Sequence, residues 1–167
     1  NNSPKTASPS THNTSANASV TYSSVGQKSI RFILSDINGC NDTAKLSVQV
    51  LAHPIAKWSA NTPVQCLFGN SFNFNASAST AVASSTISKY NWTFGSGANP
   101  ALSSNNTTAT LNGVTYSGSG SKNVVLTVVD ANGCDDTFKS TVTINDIPTA
   151  AIALASGYNA SQCFQSN

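Results

Sequence analysis

The 167-residue sequence predicts an all-β protein built from tandem β-sandwiches, and three observations support this prediction. Residues 22–40 recur as residues 116–134, a spacing of 94 positions, and a long internal repeat identifies the architectural unit. Apolar residues alternate with polar ones in runs of strand length, and no run has helical periodicity. Turn residues separate about seven such runs within one repeat, which is typical of an immunoglobulin-like sandwich.

Each copy of the repeated stretch predicts a β-hairpin. Asn38-Gly39 and Asn132-Gly133 each stand between two alternating strands. Because Asn and Gly tolerate positive φ, we expect a type I′ turn in both hairpins. The alternating apolar positions are Ile30, Phe32, Leu34, Leu46, Val48 and Val50 in the first hairpin, and Val124, Leu126, Val128, Phe138, Val142 and Ile144 in the second.

The repeat register divides the chain into three parts. Residues 1–52 correspond to the C-terminal half of a repeat, because residues 1–20 align with residues 95–114 rather than forming a linker. Residues 53–147 form one complete copy. Residues 148–167 match the start of a third copy, with three additional residues before its cysteine.

The complete copy is expected to hold one aromatic core. Pro54–Trp58 is predicted as an edge strand, since a proline without an N–H is tolerated there. We expect Trp58 at a half-buried strand position rather than on an exposed binding platform. Aromatic residues at strand spacing belong to a core more often than to a ligand site. The predicted core residues are Phe72, Phe74, Tyr90, Trp92, Phe94, Leu126, Val128 and Val142.

Bulk composition excludes several classes of partner. Only 8% of the residues are charged, the net charge is +2, and 39% are apolar. The chain therefore lacks the basic footprint of nucleic-acid binding and the polar bias of a disordered protein. Its apolar runs are of strand length, so we expect no membrane insertion. Four cysteines without metal-ligand spacing favour an oxidising, extracellular setting.

One motif set resembles a known family. Tyr90-x-Trp92-x-Phe94-Gly95-x-Gly97, followed by Tyr116-x-x-x-Gly120 and alternating Val124, Leu126 and Val128, resembles the polycystic kidney disease (PKD) domain. The accompanying Asn-Gly-Cys and Asp-Thr resemble repeats of large bacterial surface adhesins of the gliding or type IX-secreted kind. Thr93 and Ser96 replace two aspartates of the family pattern. The resemblance implies immunoglobulin-like domains and a bacterial cell-surface location.

Chemistry-bearing residues are sparse, and we expect no active site and no cofactor. Asp130, Asp135 and Asp136 form the candidate calcium site, since calcium prefers oxygen ligands. Their alternative role is turn geometry. Asp42-Thr43-Ala44 resembles the acceptor sequence of bacterial O-glycosylation, which makes Thr43 a candidate, and a simple turn exit is the alternative.

The sequence favours a non-catalytic stalk or fibre repeat of a large extracellular adhesin. Its partners would be neighbouring repeats, with self-association or surface glycans as further partners. The alternatives are a spacer module in a secreted hydrolase and a glycan-binding adhesive domain. The pairing of Cys40, Cys66, Cys134 and Cys163 stays open. End-to-end stacking favours a bond between the first-turn cysteine of one domain and the final-hairpin cysteine of the next, whereas neighbour pairing or free thiols are the alternatives.

Overall fold

The computed structural model describes residues 19–82, 84–153 and 156. The described part of the chain is all-β, which confirms the predicted fold class. It contains no helix long and apolar enough to cross a membrane. Cys163 and the rest of residues 157–167 lie outside the described residues, as do residues 1–18.

The first hairpin forms a sheet of its own. It consists of β1 (Gly26–Ser35) and β2 (Asn41–Val50), which pair antiparallel from Gly26 opposite Val50 to Ser35 opposite Asn41. The apolar residues Phe32, Leu34 and Leu46 of this hairpin are exposed.

The complete copy forms two sheets that enclose a shared core. The five-stranded sheet has the order β4-β11-β10-β6-β8, and the four-stranded sheet has the order β3-β5-β9-β7. The short strands are β3 (Ser59–Ala60), β4 (Val64–Cys66), β5 (Phe72–Asn75), β7 (Ala98–Asn99) and β8 (Leu102–Asn106). The longer strands are β6 (Ile87–Thr93), β9 (Thr110–Tyr116), β10 (Gly120–Asp130) and β11 (Asp135–Asn145).

These nine strands exceed the predicted seven because several are too short to show alternation. β4 has only three residues and runs parallel to the end of β11, with Cys66 opposite Asn145. β3 and β7 have two residues each. Period-two patterns need about four residues or more to be visible in a sequence. Strands this short therefore escape a sequence-based prediction.

The predicted edge strand at Pro54–Trp58 is wrong. This segment makes one isolated bridge, between Ile55 and Thr80. Two of its backbone N–H groups donate to side chains instead of to a ladder: Ala56 N to Asp136 Oδ2 at 2.8 Å and Lys57 N to Ser79 Oγ at 2.9 Å. Side-chain acceptors thus satisfy the backbone that a neighbouring strand would otherwise pair.

The predicted type I′ turns are also wrong. In the first hairpin Gly39 N donates to Asp36 O at 3.1 Å, and in the second Gly133 N donates to Asp130 O at 3.1 Å. Only the glycine of each turn has positive φ, +84° in both. This arrangement is a type I turn followed by a left-handed glycine in a three-residue loop. The aspartate that precedes each turn stabilises it, as described below.

The core consists of side chains that point inward from both sheets. Seven of the eight residues predicted for it are buried, and Trp92 contacts Trp58, Phe74 and Phe94 at ring-centroid distances of 6.3, 5.6 and 5.9 Å. Tyr90 departs from the prediction. It shares a face with Trp92 but is half-buried, because it packs against the margin of the core cluster. Trp58 is more buried than expected, at 9% exposure, and it precedes β3 rather than lying on a strand.

Candidate functional site

Asp136 ties the start of the complete copy to its final hairpin. Ala56 and Asp136 are 80 residues apart, yet the backbone N–H of Ala56 donates to Asp136 Oδ2 at 2.8 Å. Next to this bond, Ser79 Oγ donates to Lys57 O at 2.9 Å and accepts from Lys57 N. Since Asp136 is the second residue of β11, the chain enters the sandwich at the end where β11 begins.

Asp130 organises the turn between β10 and β11. Its Oδ1 accepts hydrogen bonds from Asn132 N and Cys134 N, both at 2.9 Å. Ser88 Oγ donates to the main-chain oxygen of Asp130 at 3.1 Å. Burial of the carboxyl raises the pKa of Asp130, but the hydrogen bonds that the carboxylate accepts, the largest from the Cys134 N–H, together bring its pKa below the usual value.

The first hairpin repeats this turn. Asp36 Oδ1 accepts from Asn38 N at 2.9 Å and from Cys40 N at 2.8 Å. The Cys40 N–H is the main reason that the pKa of Asp36 is lowered, with burial opposing it. A carboxylate that accepts two backbone N–H groups is favoured in its charged form. Both aspartates therefore serve turn geometry.

The three candidate calcium ligands have different partners. Asp130 Oδ1 accepts two turn N–H groups, Asp136 Oδ2 accepts Ala56 N, and Asp135 is exposed at the start of β11. Among the residues that the structure describes, no group of three or more His, Cys, Asp or Glu side chains is placed to hold a metal ion. The structure thus does not bring the three aspartates together as a ligand set.

The opposite end of the sandwich carries Cys66. This residue ends β4 opposite Asn145, and Leu67 N donates to Asn145 O at 2.8 Å. Phe68, two residues later, is 85% exposed. Because Asn145 is the last residue of β11, the chain leaves the sandwich beside Cys66. Cys134 lies immediately before β11, at the entry end.

The three described cysteines are free thiols, with Cys40 and Cys66 exposed and Cys134 half-buried. β11 has 11 residues, and at about 3.4 Å per residue it spans roughly 35 Å. Cys66 and Cys134 therefore lie at opposite ends of one sandwich. Cys163, the fourth cysteine, falls outside the described residues.

Two open depressions mark the surface. One, of about 300 Å³, lies over β3, β5 and β9 and is lined by amide side chains, including Asn61, Asn73 and Asn112. Asn61 Oδ1 accepts Asn73 N and Asn73 Oδ1 accepts Gly113 N, both at 3.1 Å. The other, of about 330 Å³, lies at the first hairpin turn beside Cys40. Both are open to solvent, and neither is an enclosed pocket.

Thr43, the candidate modification site, lies on β2 opposite Ile33 and is exposed. Its N–H donates to Asp42 Oδ1 at 2.8 Å. Its equivalent Thr137 is also exposed and lies 2.9 Å from Thr127 across the strand pair, oxygen to oxygen. Thr43 is thus exposed as the third residue of β2 rather than at the exit of the turn.

Sequence analysis did not find Asn70, whose side chain links the segment after β4 to the last residue of β9 near the exit end. Its Oδ1 accepts Tyr116 N at 2.6 Å, and its Nδ2 donates to Tyr116 O at 2.9 Å and to Leu67 O at 2.7 Å. Tyr116 Oη in turn donates to Phe94 O at 3.0 Å, and burial raises the pKa of Tyr116 to about 12. The Gly69-Asn70 pair resembles an ordinary loop in the sequence, so only the fold shows this role.

Several solved structures are similar to part of this chain. A structure of carbohydrate-binding modules of the β-sandwich superfamily is 29% identical with a TM-score of 0.47, and the match covers 57% of this chain and 35% of that one. The PKD1 domain of the Vibrio cholerae metalloprotease PrtV is 26% identical over 56% of this chain and 99% of its own, with a TM-score of 0.45. The PKD1 domain of Vibrio anguillarum Epp is 24% identical over 58% and 99%, with a TM-score of 0.45.

The chain thus spans about a third of the first of these structures. No curated protein matches it. The family is shown by a sequence comparison. Residues 51–145, more than half of the chain, match the family model of the PKD domain. These residues are the two-sheet sandwich described above, with its aromatic core and Asp130 turn. The chain belongs to the PKD domain family.

Proposed function

We propose that the chain is a non-catalytic structural segment of an extracellular bacterial surface protein, a stalk or fibre repeat of an adhesin of the gliding or type IX-secreted kind. One observation carries the proposal: the polypeptide enters and leaves the sandwich at opposite ends. Ala56 bonds to Asp136 at the start of β11, and Leu67 bonds to Asn145 at its end. A module of this kind joins its neighbours in line and adds its full length to an array.

The same geometry sets how the sandwich bears tension. β11 leads out of the domain, and it pairs along ten residues with the antiparallel β10 and at its end with the parallel β4. Tension applied through the exit of β11 pulls it lengthwise past both neighbours, so several ladder hydrogen bonds must break together. The lengthwise loading of a terminal strand supports a mechanical role.

The first hairpin supports a tandem arrangement. β1 and β2 pair in the register of β10 and β11 shifted by 94 residues, from Gly26 opposite Val50 and Gly120 opposite Ile144 onward. Neighbouring repeats of the same protein are then the immediate partners. Self-association into a fibre and contact with surface glycans remain further proposals for the partners of such an array.

Two other functions place different demands on the module. A spacer in a secreted hydrolase needs the same in-line sandwich, and the number of additional 94-residue copies beside it separates that function from a fibre. A glycan-binding domain needs a ligand surface. The amide-lined depression over β3, β5 and β9 is the specific observation that favours it, although its aromatic residue, Phe74, is 1% exposed and offers no ring surface.

Force spectroscopy on the full chain, held at its two ends, tests the proposal. We expect one dominant unfolding event from residues 51–145. Those residues released at roughly 3.6 Å each, less a folded length of about 30 Å, give a gain on the order of 300 Å. Extension without a resolved event would contradict a load-bearing role. Binding of the unmodified full chain on a glycan array, lost on substitution of Asn73, would favour the adhesive function instead.

A further inference from the structure

The two hairpins are the same structural unit in different surroundings. Both have ten paired positions in the same register, and both turns have the same aspartate bonds. Both also place a lysine over a tyrosine ring, with Lys28 Nζ 6.0 Å from the Tyr22 centroid and Lys122 Nζ 5.9 Å from that of Tyr116. The segments that pack on β10 and β11 therefore indicate which kind of segment can pack on β1 and β2.

The apolar face of the second hairpin is covered, and that of the first is not. Leu126 on β10 is fully buried, whereas its equivalent Phe32 on β1 is 59% exposed. Leu34, the equivalent of the buried Val128, is 61% exposed. Within the described residues β1 pairs only with β2. The first hairpin thus exposes an apolar face that its twin buries.

The outer edge of the first hairpin also lacks its partner. In the complete copy β6 lies antiparallel beside β10, with Trp92 opposite Leu126 and Asn91 opposite Thr127. The matching edge of β1 has no strand beside it in the described part of the chain. An unpaired row of N–H and C=O groups next to an exposed apolar face is a template for strand addition.

We propose that the β1–β2 hairpin is the acceptor half of a second sandwich and that its partner is a polypeptide segment with the pattern of residues 53–94. One strand of this segment would lie antiparallel to β1 with a large aromatic residue opposite Phe32, as Trp92 lies opposite Leu126. A facing strand would supply two rings, as Phe72 and Phe74 do. The segment is supplied from the N-terminal side of the hairpin, because β3 to β6 precede β10 in the complete copy.

The first hairpin would need such a partner in a fibre and in a hydrolase spacer alike. The family match covers residues 51–145 and does not reach the hairpin. A second copy of the hairpin is the competing occupant, since two exposed apolar faces can pair with each other. The experiment below distinguishes a repeat half from a second copy.

The test is a chain in which a copy of residues 51–94 is fused directly before Asn1 of the full sequence. The repeat register makes this joint continuous, because Asn1 aligns with Gly95. We expect the amide exchange of Phe32 and Leu34 to slow by on the order of 100-fold or more relative to the unfused chain. In the fused chain their hydrogen bonds would open only when the completed domain unfolds. We also expect binding of a hydrophobic dye to fall.

A matched fusion carries Phe72→Ser, Phe74→Ser and Trp92→Ser in the added segment only, and we expect it to leave the exchange at Phe32 as fast as in the unfused chain. Equal exchange in the fused and unfused chains would overturn the proposal. An unfused chain that sediments as a dimer with slow exchange at Phe32 would also overturn it, because the occupant would then be a second copy. Neither result bears on the in-line geometry of the complete sandwich.

Discussion

The backbone N–H of Ala56 donates to Asp136 Oδ2 at 2.8 Å and so joins the entry of the chain to the base of its final hairpin. The neighbouring Asp130 holds the turn of that hairpin through two more backbone N–H groups. The entry end of the sandwich is therefore stabilised by two carboxylates that accept backbone hydrogen bonds. This end must resist separation if the domain transmits tension.

Replacing Asp136 by Ala should lower the free energy of unfolding by about 1.5–3 kcal/mol, as expected for a hydrogen bond to a charged acceptor. The measurement is urea denaturation of the full chain. Asp42→Ala is the matched control, since Asp42 is the equivalent residue and, among the described residues, its Oδ1 accepts only the adjacent Thr43 N. Equal midpoints for the two variants would show that the Ala56 bond contributes nothing.

Trp92→Ala should destabilise the sandwich by about 3–5 kcal/mol, because it removes the largest buried side chain and leaves a cavity. Trp92 is 2% exposed and its ring packs against three other aromatic rings. A domain of this size has about 5–15 kcal/mol in total, so this loss brings it close to unfolding. Thermal melting measures the effect, and Phe32→Ala is the control on the exposed hairpin. A Trp92→Ala domain that melts within a few degrees of the parent would contradict the core assignment.

Asp130→Asn should reduce stability at neutral pH but not in acid. The pKa of Asp130 in the folded domain lies below its ordinary value of 3.8, so the unfolded chain takes up the proton first as the pH falls. The contribution of the carboxylate is therefore complete above about pH 4 and is lost as the pH drops through the folded pKa. Denaturation of both proteins across this range measures it, with Asp135→Asn as an exposed control. A difference between Asp130→Asn and the parent that did not change with pH would contradict this account.

The sequence could predict the hairpins and the aromatic core, because alternation depends only on local period. Leu126, Val128 and Trp92 are buried as their positions in the pattern suggest. The anchor of Ala56 on Asp136 and the clamp of Asn70 on Tyr116 could not be predicted, since they join residues 80 and 46 positions apart. The Asn-Gly pair alone does not indicate the turn type, because the Asp130 carboxylate before it also stabilises the turn by accepting two of its N–H groups.

The cysteines yield a prediction about connectivity. Cys66 and Cys134 lie roughly 35 Å apart along β11, whereas a disulfide needs Cα atoms roughly 4.4–6.8 Å apart. We expect no Cys66–Cys134 bond within one oxidised chain. If the repeats stack end to end, we expect the first-turn cysteine of one copy to lie next to the final-hairpin cysteine of the next. The two thiols there can form a bond by giving two electrons and two protons to a small-molecule disulfide.

Peptide mapping without reduction tests this in the full chain carrying an in-place duplication of residues 54–147. Linkage of Cys66 in the first copy to Cys134 in the second is the expected result, and Cys66→Ser in the first copy should abolish it. Linkage of Cys134 in the first copy to Cys66 in the second would show instead that the domains fold back on each other.

Residue-resolved amide hydrogen exchange of the full chain tests most directly whether equivalent hairpins differ only in what covers them. The account predicts that β10 amides from Val124 to Val128 exchange near the rate of global unfolding. The equivalent β1 amides from Ile30 to Leu34 should exchange much faster, since their hairpin opens on its own. Equal protection of the two strands in the chain as it stands would contradict the account, because β1 would then already have a partner.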